Sequence, residues 1–267
     1  LNCGLWHALT WFFERDYAQA LVELESLAPQ AAGHYLYPEI NYRIASTRYA
    51  QRDLLRAEKD LEGFLQAFPG HSREPEALVL LGDTLMGSGD LDRALAAFRE
   101  VPEEMETQSI YAAFQIGKIL KAQENFEEMS DHFAAYASRA GPPPRVSEAL
   151  YWVGWAEERM GRPASAEPIF LDALVRFGDD PEATEVMAMI EGLGRLNRVL
   201  KREPGDFDDW IDGECRSALD RERFTYFARL CLYRADRHLA AGRGYAAEAL
   251  LLEIAAETPM ESLDPAA

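Results

Sequence analysis

Residues 80–98 read LLGDTLMGSGDLDRALAAF, two helix-forming segments separated by glycines. Gly82 lies inside an otherwise good helix pattern, where glycine costs about 0.5–1 kcal/mol relative to alanine. Gly87 and Gly89 follow closely and mark a turn before the second segment. The stretch therefore predicts a helical hairpin, and Gly82 needs an explanation from packing rather than from chain reversal.

A small residue recurs along the chain at the position that Gly82 occupies. An alanine follows Gly82 after twelve residues and a large apolar residue after sixteen, and most other blocks repeat this pattern. The small residues of successive blocks are Ala8, Ala45, Gly82, Gly117, Gly154 and Ala235. The first five are spaced by 37, 37, 35 and 37 residues, and the gap of 81 before the last has room for two blocks. In one block Met129 replaces the alanine, but the large residue is kept.

The segments between the small residues also repeat. Each block contains a short polar turn followed by an apolar residue: RDY (15–17), RDL (52–54), GDL (89–91) and ENF (124–126). Helix breakers separate the blocks: FPGHSREP (68–75), AGPPPR (140–145) and FGDDPE (177–182). Alternating β-branched runs are scarce. We therefore predict an all-α chain in which each block is two helices of about 12–16 residues.

This pattern resembles the tetratricopeptide repeat (TPR) family, whose unit of about 34 residues is a helix–turn–helix with small residues at the helix crossing. Gly82, Ala94 and Phe98 fit that motif, as do Ala45, Ala57 and Leu61. The resemblance implies an α-solenoid of about six to seven helix–turn–helix units wound into a right-handed superhelix. The longer blocks are also similar to TPR proteins of the bacterial cell envelope, which slightly favours a periplasmic or outer-membrane-associated location over the cytoplasm.

The repeats predict a domain organisation and a packing scheme. We predict five TPR-like repeats over 1–180, an irregular or degenerate helical repeat over 181–223, a C-terminal TPR-like repeat over 224–260 and a tail over 261–267. Helices approach most closely where both carry small residues, so we expect Gly82 to face Ala94. Large residues such as Leu61, Phe98, Phe133 and Phe170 then fill the space between successive units.

The irregular segment contains an acidic run that needs its own interpretation. Its helix is expected to be interrupted near Gly192 and Gly194, and Asp206 is expected to be the N-cap of the next helix. Counted from Asp206 as a calcium loop, Trp210 would occupy a ligand position and Ile211 the glycine position, so the calcium motif fails. We therefore predict an acidic helix start and no metal site.

The composition disfavours nucleic acid as a partner, a membrane span and a disulfide framework. The chain has 267 residues, 27 basic against 46 acidic side chains, and a formal charge of −19, which repels phosphate and disfavours nucleic acid. No apolar run approaches the 18–20 or so residues that a membrane span needs. The three cysteines, Cys3, Cys215 and Cys231, do not form a disulfide framework, although a Cys215–Cys231 bridge remains open.

The sequence carries no recognised catalytic motif. The histidines are scattered, and the sequence contains no HExxH motif, nucleophile elbow, dinucleotide fingerprint or phosphate-binding loop. We predict no catalytic residues, no cofactor and no enzymatic activity.

The alternative to catalysis is a binding surface. In a TPR stack the first helix of each unit lines the concave side, and its outward residues here are aromatic and acidic. The predicted partner-binding residues are Glu39, Tyr42, Tyr49, Glu76, Asp83, Tyr111, Phe114, Lys118, Glu148, Tyr151, Trp155 and Glu158. Such a surface suits a protein or peptide with basic and apolar anchor residues. The competing interpretation is that individual aromatics pack against neighbouring helices.

These observations favour a non-enzymatic scaffold or adaptor in a multiprotein assembly. Two alternatives remain: a structural subunit that self-assembles through its exposed repeat ends, or a regulatory TPR domain of a longer enzyme or sensor.

Overall fold

The chain folds almost entirely into helices, as predicted. A computed structural model describes residues 1–139 and 144–259, and within them there are fourteen α-helices, one short 3-10 helix (Pro29–Ala31) and no strand. The α-helices are α1 (Asn2–Phe13), α2 (Tyr17–Leu27), α3 (Tyr37–Ala50), α4 (Leu54–Ala67), α5 (Glu74–Ser88), α6 (Leu91–Arg99), α7 (Glu106–Ala122), α8 (Phe126–Ala137), α9 (Val146–Arg159), α10 (Pro163–Phe177), α11 (Val186–Val199), α12 (Pro204–Asp220), α13 (Phe224–Ala240) and α14 (Gly244–Glu257).

The helices belong to two compact units. The first unit, residues 1–122, contains α1–α7, and the second, from Gln123 onward, contains α8–α14. Within each unit every helix packs against the next one along the chain. The odd-numbered helices also pack side by side, α3 with α5 and α5 with α7 in the first unit, and α9 with α11 and α11 with α13 in the second. This is the packing of repeated helical hairpins, and it confirms the predicted fold class.

The polar turns begin the even-numbered helices. A side-chain oxygen of each turn accepts a hydrogen bond from the backbone N–H three residues later, at 3.0–3.4 Å. The capping residues are Asp16, Asp53, Asp90 and Asn125. The residue before each cap has a left-handed backbone, for example Arg52 at φ 65° and Gly89 at φ 86°. The repeated pair of residues is therefore a left-handed turn residue followed by an N-cap.

The irregular segment is a sixth helix pair, α11 and α12. Helix α11 continues through Gly192 and Gly194, so the predicted interruption is wrong. The N-cap of α12 is Glu203 rather than Asp206, because proline lacks a backbone N–H and is best placed at the first helical position, which Pro204 takes. Asp206 instead accepts a hydrogen bond from the Glu203 N–H at 3.2 Å. The predicted tail, 261–267, lies outside the described residues.

Glycines in the odd-numbered helices make room for phenylalanine rings. A Cβ atom added to Gly82 would lie 2.6 Å from two ring carbons of Phe98, so this ring is the closest group to the glycine. Ala94 is fully buried on the same helix as Phe98, and its approach to Gly82 stays a prediction. On α10, Phe170 lies against Gly154 of α9 and Gly192 of α11. Because Phe170 is fully buried between two successive hairpins, it fills the space between repeats as expected.

Candidate partner-binding surfaces

The predicted binding residues lie on four odd-numbered helices. Helices α3, α5 and α7 carry eight of them in the first unit, and α9 carries four in the second unit. Since α3, α5 and α7 are neighbours, side chains that are far apart in sequence come together in the first unit.

One group in the first unit, which we call the Asp83 site, consists of Tyr49, Asp83, Tyr111 and Lys118. The Tyr111 hydroxyl donates to the Asp83 carboxylate, whose two oxygens lie at 2.9 and 3.0 Å. Tyr49 from α3 and Lys118 from α7 are close enough to the same carboxylate to interact with it electrostatically. Three successive odd-numbered helices thus contribute to one acidic and aromatic site.

Protonation equilibria in the Asp83 site reflect its partial burial. Burial raises the pKa of Asp83, although the hydrogen bond from Tyr111 and the charge of Lys118 act in the opposite direction. Burial and the adjacent carboxylate together raise the pKa of Tyr111 to about 12. Burial, reinforced by Asp83, also raises the pKa of Tyr49. The negative charge of Asp83 is therefore incompletely compensated by the protein itself.

A second group, the Glu39 network, joins α3 to the start of α5. Glu39 accepts hydrogen bonds from Arg43 at 2.7 Å and from Arg73 Nε at 2.9 Å. Both guanidinium groups also lie over the Tyr42 ring, 5.7 and 5.5 Å from its centroid, and Arg73 reaches Glu76 at 3.3 Å. Burial alone would raise the pKa of Glu39, but the hydrogen bonds from Arg73 and Arg43 hold it below its ordinary value. The charge of Glu39 is thus already balanced.

Phe114 does not belong to the exposed surface that the sequence predicted. It is only 5% exposed, and residues 112–117 of α7 are all buried. The helix is therefore enclosed on nearly every side around this turn, and Tyr111 and Lys118 are its exposed positions on either side. We leave Phe114 out of the candidate surface for this reason.

In the second unit the corresponding group, the Glu158 site, consists of Tyr151, Glu158 and Arg195. Arg195 of α11 donates to both oxygens of Glu158 at 2.9 and 3.0 Å, the two-pronged geometry that arginine and carboxylate favour. The Tyr151 ring stacks on Phe170 with centroids 6.3 Å apart. Burial raises the pKa of Tyr151, and the charge of Arg195 opposes this shift.

The remaining two residues on α9 are engaged with side chains of their own unit. Trp155 is half-buried, and its ring centroid lies 5.6 Å from that of Phe126 and 5.5 Å from that of Trp152. Glu148 accepts a hydrogen bond from Arg145 at 2.6 Å. Trp155 consequently packs within its own unit and stays partly exposed.

Two arginines complete these surfaces, and sequence reasoning missed them. Arg73 lies in the breaker FPGHSREP (68–75), and Arg195 lies in the irregular segment, where the sequence shows no repeat phase. Their partners lie about one repeat away in sequence, because Arg73 is 34 positions after Glu39 and Arg195 is 37 positions after Glu158. The sequence signal for both ion pairs is a glutamate and an arginine separated by about one repeat. The surfaces are therefore less acidic than predicted, because arginine neutralises these glutamates.

Two other kinds of site, a metal centre and a membrane span, are absent from the described residues. None of the His, Cys, Asp and Glu side chains there form a group of three or more that could hold a metal ion. In the same ranges, no helix has the length and apolarity that crossing a membrane requires.

Comparisons with known proteins agree with the repeated hairpins. The profile of a tetratricopeptide repeat family matches residues 42–105 and 110–181. The C-terminal part of a TPR repeat-containing protein from Cytophaga hutchinsonii has a similar structure, with a TM-score of 0.57, 17% identity and coverage of 97% of both chains. A tetratricopeptide repeat protein from Parabacteroides merdae gives a TM-score of 0.54 at 14% identity, covering 97% of this chain and 94% of its own. No curated protein sequence matches the chain.

Proposed function

Because the chain belongs to the tetratricopeptide repeat family, we propose that it is a protein-interaction scaffold that holds a segment of a partner protein on its odd-numbered helices. Stacked helical hairpins expose side chains from several helices on one face, and such faces bind extended or helical peptides. The absence of any recognised catalytic motif in the sequence is in keeping with this function.

The observation that carries the proposal is the hydrogen bond between Tyr111 and Asp83, with Tyr49 beside them. This arrangement combines a carboxylate with two aromatic rings from three successive odd-numbered helices. A lysine or arginine side chain of a partner would gain both an ion pair and cation–π contacts there. A basic side chain of a partner would stabilise the charge of Asp83 more than that of Glu39, because Glu39 is already paired with two arginines.

The apolar part of the partner is proposed to contact the partly exposed aromatic rings. Tyr42 is on the same helix as Tyr49, about two turns away, and Tyr151 and Trp155 are partly exposed on α9 of the second unit. Aromatic side chains of this kind are enriched among residues that dominate binding energy. We therefore propose a peptide segment that carries a basic residue and an apolar anchor.

Selection from a random peptide library displayed on phage tests this proposal. Peptides recovered on the immobilised full chain should be enriched in Lys or Arg next to an apolar residue. Their affinity, measured by fluorescence anisotropy, should fall about tenfold for Asp83→Asn, equivalent to about 1.4 kcal/mol. Raising the salt concentration should also weaken binding.

Asp172→Asn is the matched control, because Asp172 is an exposed carboxylate on the even-numbered helix α10. It should leave the affinity unchanged. Selected peptides that lack basic residues, or that bind Asp83→Asn and wild type equally well, would contradict the proposed site.

A further inference from the structure

A small pocket in the second unit is lined mainly by basic side chains. It has a volume of about 160 Å³, and residues of α12, of α13 and of the turn between α13 and α14 line it. We call it the Arg243 pocket, and its lining residues are Asp208, Arg234, Arg237, His238 and Arg243. Three guanidinium groups thus meet one carboxylate here, in a chain that has 46 acidic against 27 basic residues. The charge of the pocket is therefore opposite in sign to that of the whole chain.

Three residues of the pocket occupy positions that are buried in earlier hairpins. Arg234, Arg237 and His238 stand one position before, two after and three after Ala235, the small residue of their block. In α5 and α7 the residues at these positions are at most 8% exposed: Leu81, Thr84, Leu85, Ile116, Ile119 and Leu120. In α3 and α9 the first two positions are also buried and the third is polar: Ile44, Thr47, Arg48, Val153, Ala156 and Glu157. None of the three is buried in α13, so a polar pocket takes the place of packed side chains.

The turn of this hairpin also differs from most others. Arg243 stands eight positions after the small residue, where the first four hairpins have the capping residues Asp16, Asp53, Asp90 and Asn125. The fifth hairpin has Arg162, which donates a hydrogen bond to Glu127 at 3.3 Å. The Arg243 side chain is exposed and has no hydrogen-bond or ion-pair partner among the described residues. Within that part of the chain its positive charge is therefore uncompensated.

The other two arginines of the pocket are each paired with one carboxylate. Arg237 forms an ion pair with Asp208 on the pocket wall, and Arg234 forms one with Asp212 at 2.7 Å. A guanidinium group has five N–H donors, of which one contact with a carboxylate uses only a part. His238 adds a ring nitrogen, Nδ1, that is buried and has no hydrogen-bond partner within the described residues. The pocket therefore has more hydrogen-bond donors than its single carboxylate can satisfy.

We propose that the Arg243 pocket binds a single phosphate group, either as inorganic phosphate or as the phosphate of a phosphorylated serine side chain. The oxygens of a phosphate accept hydrogen bonds from several directions, which suits guanidinium groups that come from a helix and from a turn. A carboxylate, in contrast, is already satisfied by one arginine fork. A bound phosphate also offers an acceptor to His238, whose buried Nδ1 is costly to leave unpaired.

The net charge of the chain does not oppose this site at short range. Interactions between exposed charges are screened beyond about 8 Å at physiological salt, so a phosphate in the pocket responds mainly to the side chains that line it. A nucleic acid carries phosphates along its whole length and would meet the net charge of −19 outside the pocket. The pocket therefore suits one phosphate group and not a polynucleotide.

Two substitutions at the pocket should change the affinity for phosphate in opposite directions. Arg243→Gln removes the unpaired charge and should weaken binding about tenfold. Asp208→Asn removes the carboxylate that competes for Arg237 and should strengthen binding about two- to fivefold. Arg221→Gln is the matched control, because Arg221 is an exposed arginine at the other end of α12, about 20 Å from Asp208 along the helix. All three substituted side chains are exposed, so the fold should persist, which circular dichroism checks.

NMR titration of the full chain with sodium phosphate at constant ionic strength measures these affinities. Wild type should show saturable shifts at the backbone amides of 237–238 and 243–245, and Arg221→Gln should bind as wild type does. A tripeptide with phosphoserine between two glycines identifies the source of the phosphate. Tighter binding of this peptide than of inorganic phosphate would indicate a phosphorylated partner, and equal or weaker binding would indicate free phosphate.

Three kinds of result would overturn the proposal. Wild type without saturable shifts around the pocket would mean that no phosphate binds there. Equal affinity of wild type and Arg243→Gln, or an equal loss for Arg221→Gln, would mean that phosphate associates with arginine side chains non-specifically. Acetate that binds as tightly as phosphate at the same ionic strength would assign the pocket to a carboxylate instead.

Discussion

The ring of Phe98 on α6 occupies the space that a side chain on Gly82 of α5 would need, with an added Cβ atom only 2.6 Å from two ring carbons. Glycine lowers the stability of α5 as an isolated helix, but at position 82 it allows α5 and α6 to pack around the buried ring of Phe98. Burial of the ring contributes about 1.5–3 kcal/mol, which exceeds the helical cost of one glycine.

Gly82→Ala is expected to destabilise the protein by about 1–3 kcal/mol, because the new methyl group overlaps the Phe98 ring. Gly63→Ala is the control, since Gly63 lies in α4 with nothing within 4 Å of an added Cβ atom, and it should stabilise by about 0.5–1 kcal/mol. Urea denaturation measures both values. Equal stability changes for the two variants would contradict this packing.

Phe170→Ala should cost about 3–5 kcal/mol, because its ring is fully buried between Gly154 and Gly192. Leu251→Ala, at the equivalent position of the last hairpin, should cost much less in dilute solution because its side chain is half exposed. Thermal denaturation at low protein concentration compares them. A large loss for Leu251→Ala would mean that this side chain is covered within the monomer.

Asp83 should make stability fall as pH rises. Burial raises its pKa above the ordinary 3.8, so the folded state binds this proton more tightly than the unfolded state does. Its stabilising contribution is complete below the unfolded pKa and is lost as pH rises through the higher folded pKa. The free energy of unfolding of wild type relative to Asp83→Asn should therefore decrease with pH in this window.

The pKa of Glu39, in the same unit, is shifted in the direction opposite to that of Asp83. Its pKa is held below the ordinary 4.5, so its contribution is present above that value and is lost as pH falls through the lower folded pKa. Wild type relative to Glu39→Gln should accordingly gain stability with rising pH. Denaturation curves across the acid range measure both slopes. Slopes of the same sign would contradict the distinction between Glu39, which two arginines hold, and Asp83, which accepts its hydrogen bond from a tyrosine.

The thiols should differ in reactivity. Cys215 and Cys231 are free and buried in the contact between α12 and α13, so the bridge left open by the sequence is not formed. The hydrogen bond from Cys231 lowers the pKa of Cys215, although burial opposes this shift. A water-soluble thiol reagent should label one cysteine, Cys3, in the native protein and all three after denaturation. Native Cys3→Ser should show no rapid labelling, and rapid reaction at a second thiol would contradict the burial.

The sequence predicted the repeats because the decisive residues are chemically restricted. Only small residues tolerate the position of Gly82, and only side chains such as Asp53 and Asn125 cap a helix start efficiently. Their spacing therefore survives as a pattern even when the surrounding residues vary. The same logic predicted that Phe170 fills the space between hairpins.

The surface was harder to predict because it depends on how neighbouring helices are rotated and placed. Helical periodicity alone put Phe114 beside Tyr111 on an exposed face, whereas adjoining helices bury that turn of α7. Ion pairs between successive hairpins, such as that of Glu158 with Arg195, require the register of both helices. The sequence of 181–223 does not reveal the register of α11, because Gly192 and Gly194 suggest a break in a helix that is in fact continuous.

Binding of a peptide at the Asp83 site is tested most directly by NMR chemical-shift mapping. The full chain is titrated with a peptide obtained from the display selection. We predict that the largest shifts occur at Tyr49, Asp83 and Tyr111, on three adjacent odd-numbered helices. Shifts confined to the even-numbered helices, with these three residues unaffected, would contradict the account.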